Sequence, residues 1–243
     1  MTKSGRSVTI LGLFVGLLTL CVTSAQERAP ILEKVAKTCG VDSWNQIEAI
    51  RYTWHIEYGK FVLARSWEWE PKTTQVTYEG KDKDNKPVKV TYKRSELSSQ
   101  SDTVKNEVDP GFINDNYTLL FPLKAYWDAS PAVIDQGMFN LPMGSGSAEF
   151  VTVKYPAEGG GYTPGDTWEL YVAKDGRVEY WVYRRGGAKK PSVVLATWGA
   201  QKKAGPLLIS TDRRGSADGK PIRIFFTDVA VKLTGSDQWL NAQ

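Results

Sequence analysis

Histidine is almost absent from this chain: His55 is the only one in 243 residues. That excludes histidine-rich metal sites and makes any serine, histidine and aspartate triad depend on one residue with no evident partner. Cysteine is scarce as well, with Cys21 and Cys39 the only two. Cys21 lies inside an N-terminal apolar run, so removal of that run leaves Cys39 unable to form an intramolecular disulfide, and stability has to come from a core. Cys39 has no base nearby in sequence and reads as a small buried hydrophobe. The glycine stretches Gly144-Ser145-Gly146 and Gly159-Gly160-Gly161 lack phosphate-loop spacing, and neither GxSxG nor GxGxxG occurs. Neither sign of charge dominates: 31 lysines and arginines are interspersed with 27 acidic residues, for a net charge of +4. That is no nucleic-acid footprint, and Arg184-Arg185 with Lys189-Lys190, and Arg213-Arg214, read as short solvated turns between strands.

A membrane-spanning run is missing too. The uncharged apolar stretch from Val8 to Val22 is shorter than the roughly 20 residues a spanning helix needs. It follows Lys3 and Arg6 and precedes Thr23-Ser24-Ala25, the charge, apolar segment and small residues of a cleavable export signal. Residues 1–25 are therefore expected to be a signal peptide and 26–243 a single β domain, within the length of about 200–250 residues that one all-β domain reaches. A membrane-anchored lipoprotein acylated at Cys21 is the alternative, although Leu20 is bulky for that processing.

What the chain has in abundance is aromatic rings, with 9 tryptophans and 11 tyrosines, and the stretch from Ile50 to Trp69 concentrates them. Apolar residues alternate through Ile50, Tyr52, Trp54, Ile56 and Tyr58, then resume after Gly59-Lys60 as Phe61, Leu63, Trp67 and Trp69, with Arg65 the exception. A period of two about a Gly-X pair predicts an antiparallel hairpin on a type II′ turn. Its register sets Tyr58 against Phe61, Ile56 against Leu63, Trp54 against Arg65, Tyr52 against Trp67 and Ile50 against Trp69, all on one face. The other face carries Thr53 against Ser66, His55 against Ala64, and Arg51 against Glu68 as an expected ion pair. An arginine on an apolar face needs an aromatic ring, backbone carbonyls of a covering segment or an anionic headgroup, unless it reaches past the sheet to water. Glu68 and Glu70 beside Trp69 supply the one catalytic alternative, paired carboxylates for glycan hydrolysis.

Around the hairpin, Ile31, Leu32, Val35 and Ala36 recur at helical spacing between Pro30 and Gly40, which predicts a short amphipathic helix with a further helical turn over Ser43 to Ile47. Strands are expected over Gln75 to Tyr78 and Val88 to Tyr92. Lys93 to Asp109 is polar and aperiodic, a long loop or loosely held helix of the kind that serves as a lid. Phe112 to Trp127, aromatic-rich and interrupted by Pro122, reads as an irregular segment packed over a sheet edge or mouth. The second half predicts an antiparallel meander: Phe150 to Tyr155, Thr167 to Val172, Arg177 to Tyr183, Ser192 to Trp198, Leu207 to Thr211, and Ile222 to Leu233 with a bend at Asp228. A three-residue Lys174-Asp175-Gly176 loop sets Trp168 opposite Val182 and Leu170 opposite Tyr180, again one apolar face.

Three stretches carry a family resemblance. Trp69-Glu70-Pro71 with Gln75-Val76-Thr77-Tyr78, the segment NDNYTLLFPLKAY, and ELYVAKDGRVEYWVY resemble the LolA/LolB-type fold of exported proteins. The resemblance implies a mainly β architecture: an antiparallel incomplete β-barrel with an N-terminal helix and a helical or irregular lid. In the carriers of that family an apolar concave face shelters the acyl chains of lipoproteins, and Arg65 is an analogue, by environment only, of their lid-contacting arginine. Joined to the aromatic hairpin face, this leads to an expected role as a periplasmic, non-enzymatic binding protein for an apolar or acylated ligand. The partner would be a hydrophobic small molecule, a lipid or an acylated protein, with transient membrane contact and neither cofactor nor metal. Tyr52, Trp54, Ile56, Leu63, Arg65, Trp67 and Trp69 are the expected ligand-binding residues, with Trp168, Leu170 and Tyr180 continuing the surface. An envelope protein-interaction or sensor module is the alternative reading.

Overall fold

The computed structural model describes residues 29–82, 84–158, 164–187 and 192–243. The expected signal peptide, Cys21, the Gly159-Gly160-Gly161 run and the Lys189-Lys190 pair lie outside the described residues. Helix α1 (Pro30–Thr38) and a 3-10 turn (Val41–Gln46) come first. Strands β1 (Ile47–Tyr58), β2 (Phe61–Glu70), β3 (Gln75–Lys81) and β4 (Pro87–Lys93) follow. A 3-10 segment (Arg94–Ser99) and a π turn (Val104–Val108) then lead into helix α2 (Asp109–Trp127). Next come β5 (Ala132–Asn140), β6 (Ser147–Lys154), β7 (Thr167–Val172), β8 (Val178–Arg184) and β9 (Val193–Thr197). The chain ends with β10 (Gly199–Ala204), β11 (Leu207–Ala217), β12 (Lys220–Leu233) and β13 (Trp239–Asn241).

All thirteen strands belong to one antiparallel sheet, ordered β4-β3-β2-β1-β12-β11-β9-β8-β7-β6-β5, with β10 added to β11 and β13 to β12. Two meanders, one from each half of the chain, are thus joined where β1 pairs with β12. β4 and β5 remain as separate edges, so the barrel is incomplete. The β1–β2 hairpin has the predicted register at every pair from Tyr58 and Phe61 to Ile50 and Trp69. Gly59 holds φ at +61° while Lys60 keeps a negative φ, as a type II′ turn requires. Asp228 does bend β12: it sits at φ +54° in a bulge, where the pairing with β1 slips between Arg51 and Thr53.

Of the two alternatives for Lys93 to Asp109, a long loop or a loosely held helix, the helical one holds, as two short helical pieces. Other expectations are corrected. Phe112 to Trp127 is not an irregular segment but part of helix α2. Its residues are buried on nearly every side, including Phe112, Asp115, Leu119, Leu120, Phe121 and Leu123, because it lies in the trough of the sheet. A helix enclosed all round has no polar stripe, so its 3.6-residue period is invisible in sequence. Pro122 removes a backbone donor, and the helix kinks two residues earlier at Leu120 (φ −112°, ψ 19°). β5, β10 and β13 are strands that the apolar pattern did not mark; β5 is almost wholly exposed. β11 runs on to Ala217, so Arg213-Arg214 is no turn but the middle of a strand. Arg213 is completely buried. In the β7–β8 hairpin a bulge between Tyr171 and Val172 shifts the register by one: Trp168 faces Tyr183, Leu170 faces Trp181, and Tyr180 pairs with Tyr171 instead. A one-residue slip moves each side chain to the opposite face.

Candidate functional site

Between the concave face of the sheet and α2 lies a cavity of about 510 Å³, inside the range of about 300–1,000 Å³ typical of small-molecule sites. Trp54, Ile56, Leu63, Trp168, Trp181 and Ile224 form much of its sheet wall, continued by Tyr183, Val194 and Ile222. Pro110, Gly111, Asn114, Tyr117 and Thr118 of α2 form the opposite wall. Phe61, 54% exposed at the tip of the β1–β2 hairpin, and the exposed Glu107 and Pro110 mark the opening. These strands bring apolar residues inward because every second residue of a strand shares a face, and β1, β2, β8, β9 and β12 all turn that face to the trough.

The helix is tied down by two buried aspartates. Asp115, fully buried, accepts hydrogen bonds from Arg65 Nε (2.8 Å), Arg65 Nη2 (2.6 Å), Trp67 Nε1 (2.8 Å) and Asn114 Nδ2 (2.8 Å). Burial pushes its carboxyl pKa up, and Arg65 is the strongest of the groups that pull it back. The Arg65 guanidinium also lies 4.6 Å from the centre of the Trp54 ring. Arg65 is thus satisfied by an aromatic ring, as foreseen, and by an acidic partner that the hairpin alone could not reveal. Asp109 makes the second tie, accepting from Tyr92 Oη (2.9 Å) and Arg94 Nε (2.7 Å). On the far side of the kink, Phe121 stacks on Trp168 with ring centres 3.9 Å apart.

Of the ten residues read from sequence, Trp54, Ile56, Leu63, Arg65 and Trp168 meet at the cavity. Trp67 lies beside a smaller cavity of about 260 Å³ under the β2–β3 side, together with Leu63, Arg65 and Tyr78. Tyr52 and Leu170 are buried in the core, and Trp69 packs among Trp44, Phe112 and Lys124 under the helix. Tyr180, displaced by the β7–β8 bulge, sits on the other face with Tyr171. The sequence reading missed Trp181, Tyr183, Ile222 and Ile224, although the last two carried the correct alternation and needed only the β1–β12 pairing to place them.

The polar candidates lie elsewhere. Glu68 is in a shallow groove on the convex face with Thr77, Glu79 and Lys89, and Glu70 is engaged by Thr73 and Gln75. The expected Arg51 to Glu68 ion pair is replaced by a stack of Arg51 on Trp239, 4.6 Å to the ring centre. His55 stacks on Phe225 at 4.4 Å and hydrogen-bonds Thr227 through Nε2 at 2.9 Å, which makes it part of the outer surface of the sheet. Burial pushes the Cys39 thiol up to about 12, so it stays protonated and unreactive at neutral pH.

No protein-family model matches the sequence, and no curated protein matches it. Among solved structures, the chain is similar to a DUF1329 family protein from Desulfovibrio piger at 12% identity, covering 86% of this chain and 94% of that one, with a TM-score of 0.45. It is similar to the Mycobacterium tuberculosis lipoprotein LppX at 10% identity, with 86% and 97% coverage and a TM-score of 0.30. A chain of the Pseudomonas aeruginosa MucA/MucB complex is similar at 10% identity, with 88% and 98% coverage and a TM-score of 0.23. These are distant likenesses, and the reading of the cavity rests on its own residues. Among the described residues, no helix is long and apolar enough to cross a membrane.

Proposed function

We propose that this chain is an exported, periplasmic binding protein that takes up an apolar or acylated ligand between the concave sheet and α2, without performing chemistry on it. The observation that carries this reading is the cavity of about 510 Å³ walled by Trp54, Ile56, Leu63, Trp168, Trp181 and Ile224. Each 100 Å² of apolar ligand surface that leaves water there gains roughly 2.5 kcal/mol. Arg65, the cation in the lining, is matched by Asp115, and the other charged lining residue, Glu107, is exposed at the opening. The exposed pair Phe61 (54%) and Val62 (69%) at the hairpin tip places apolar surface beside the opening, where a ligand could pass from a membrane. Glu68 and Glu70 face away from this space, which argues against glycan hydrolysis in it.

Native mass spectrometry on protein isolated from periplasm without detergent, followed by solvent extraction, tests the proposal. A co-purified amphiphile is expected. An empty protein that also takes up neither added phospholipid nor acylated peptide would sink it. One observation favours the second reading, a protein partner: edge strand β5 exposes Ile134 (53%), Met138 (55%) and Phe139 (44%), and an open edge can pair with a strand of another chain. Co-purification of a protein that is lost on Met138→Lys, with no small molecule found, would favour that reading.

A further inference from the structure

Arg213, at the centre of β11, is 0% exposed, and none of its three guanidinium nitrogens has a hydrogen-bond partner among the described residues. Rings surround it instead: Trp198 at 3.6 Å, Phe226 at 5.1 Å and Trp181 at 5.9 Å from the guanidinium carbon to the ring centre. Aromatic faces attract a cation, but they offer no acceptor for the N–H donors of a guanidinium, and a buried charge without a counter-ion is costly. Burial alone acts on this group and works against its charged form, with no acidic side chain offsetting it. Arginine nonetheless keeps its proton in proteins.

Arg213 pairs across the ladder with Ile224, a cavity-lining residue, so both project to the same concave face. Arg213 stands beside Trp181, one ring back from the cavity surface. Trp181 and Trp168 stack on each other at 5.2 Å, both line the cavity, and neither indole N–H group has a hydrogen-bond partner among the described residues. Arg65, at the other side of the same space, is already neutralised by Asp115. Among the described residues Arg213 is thus the one fully buried cation, it has no acidic partner, and it stands beside an apolar cavity.

We propose that Arg213 is the counter-ion for a single carboxylate on the ligand, which enters headgroup first past Trp181 and leaves its hydrocarbon chain in the cavity, pointing toward Phe61. The proposal rests on the apolar-cavity reading above and narrows it to a long-chain carboxylic acid. One fork-shaped cation matches one planar carboxylate in two parallel hydrogen bonds. A dianionic phosphate would bury an excess negative charge. An ester-linked acyl chain would bring no charge at all.

Palmitic acid, methyl palmitate and hexadecyl phosphate are the probes, titrated into the purified protein with binding read from tryptophan fluorescence and calorimetry. The acid is expected to bind roughly ten- to a hundred-fold more tightly than the ester, the range for hydrogen bonds to a charged group. In Arg213→Met the affinity for acid should drop to that for ester, with ester affinity unchanged, and the ligand-free variant should melt at a higher temperature because an unpaired buried charge is gone. Equal binding of acid and ester by the unaltered protein, preference for the phosphate, or an acid preference that survives Arg213→Met would each overturn the proposal. Binding of acid and ester with equal strength leaves the apolar cavity standing, whereas binding of none of the probes brings down both. Should Arg213→Met fail to fold, the acid-to-ester ratio of the unaltered protein decides.

Discussion

Arg65 on β2 and Asp115 on α2 meet as a two-pronged ion pair, Nε to Oδ2 at 2.8 Å and Nη2 to Oδ1 at 2.6 Å. The pair joins the hairpin to the helix that covers it, and Trp67 adds a third bond to the same carboxylate. Because Asp115 is enclosed and the Arg65 side chain is 19% exposed, the two partners are not equivalent. Losing the arginine strands a carboxylate in the core, while losing the aspartate leaves a cation that still reaches solvent and the Trp54 ring.

Arg65→Leu is therefore expected to cost about 3 kcal/mol at neutral pH, the lower end for breaking a buried pair. The cost should depend on pH with a definite sign. Asp115 has its folded pKa raised by burial, and removing Arg65 raises it further. A carboxyl that holds its proton more tightly when folded contributes stability that is fully present below its unfolded pKa, about 3.9, and lost as pH rises through the folded value. Urea denaturation from mildly acid to neutral pH should show the deficit of the variant growing as pH rises. A deficit independent of pH would remove Asp115 from the account.

Gly111 offers a way to plug the site from the helix side. A β-carbon there would lie 3.2 Å from Arg65 Nη1, at the cavity wall. Gly111→Leu should reduce ligand affinity at least about tenfold, since its side chain occupies the space the ligand needs. Stability should stay within about 1 kcal/mol of the unaltered protein, because replacing a helical glycine offsets some crowding. Unchanged ligand affinity in a folded Gly111→Leu protein would place the ligand elsewhere.

Gly215 is a different kind of glycine. It pairs with Ala196 of β9 and Ile222 of β12, and an added β-carbon would sit 1.9 Å from the Leu195 carbonyl oxygen and 2.6 Å from Ala196 Cα. Both obstacles are backbone, which cannot rotate aside. Gly215→Ala should destabilise the fold by about 1–3 kcal/mol, seen as a lower melting temperature with weaker hydrogen-exchange protection in β9. A neutral result would mean that the β9–β11 pairing is loose enough to give way.

The β1–β2 hairpin was legible pair by pair because three signals agreed there: alternation, a Gly-X turn and one wet face. The bend at Asp228 was visible for a related reason, as the alternation of β12 breaks at that point. Where one signal stood alone, the reading drifted. Lys174-Asp175-Gly176 was a sound turn, but the bulge after Tyr171 is a backbone event with no side-chain signature, and it carried Tyr180 to the outer face and Trp181 inward.

Two failures concern charge. Arg213 next to Arg214 looks like a solvated turn, and only the run of β11 through to Ala217 puts one arginine inside and its neighbour outside. Asp115 sits in a segment whose aromatic content and Pro122 hid a helix, so the acid that satisfies Arg65 could not be found from the hairpin. Arg65 and Asp115 are 50 positions apart, and Arg213 is placed by the pairing of β11 with β12 and β9, relations that the local pattern does not encode.

The two free edges, β4 and β5, have a mechanical consequence. In a closed barrel, strand number and stagger set the girth, and widening it means breaking ladder bonds. A rolled strip with an open seam widens by uncurling, a change shared as small twists among many strands that keep their bonds. Such a sleeve widens by degrees, and α2 is clipped to its wall at Asp109 and Asp115.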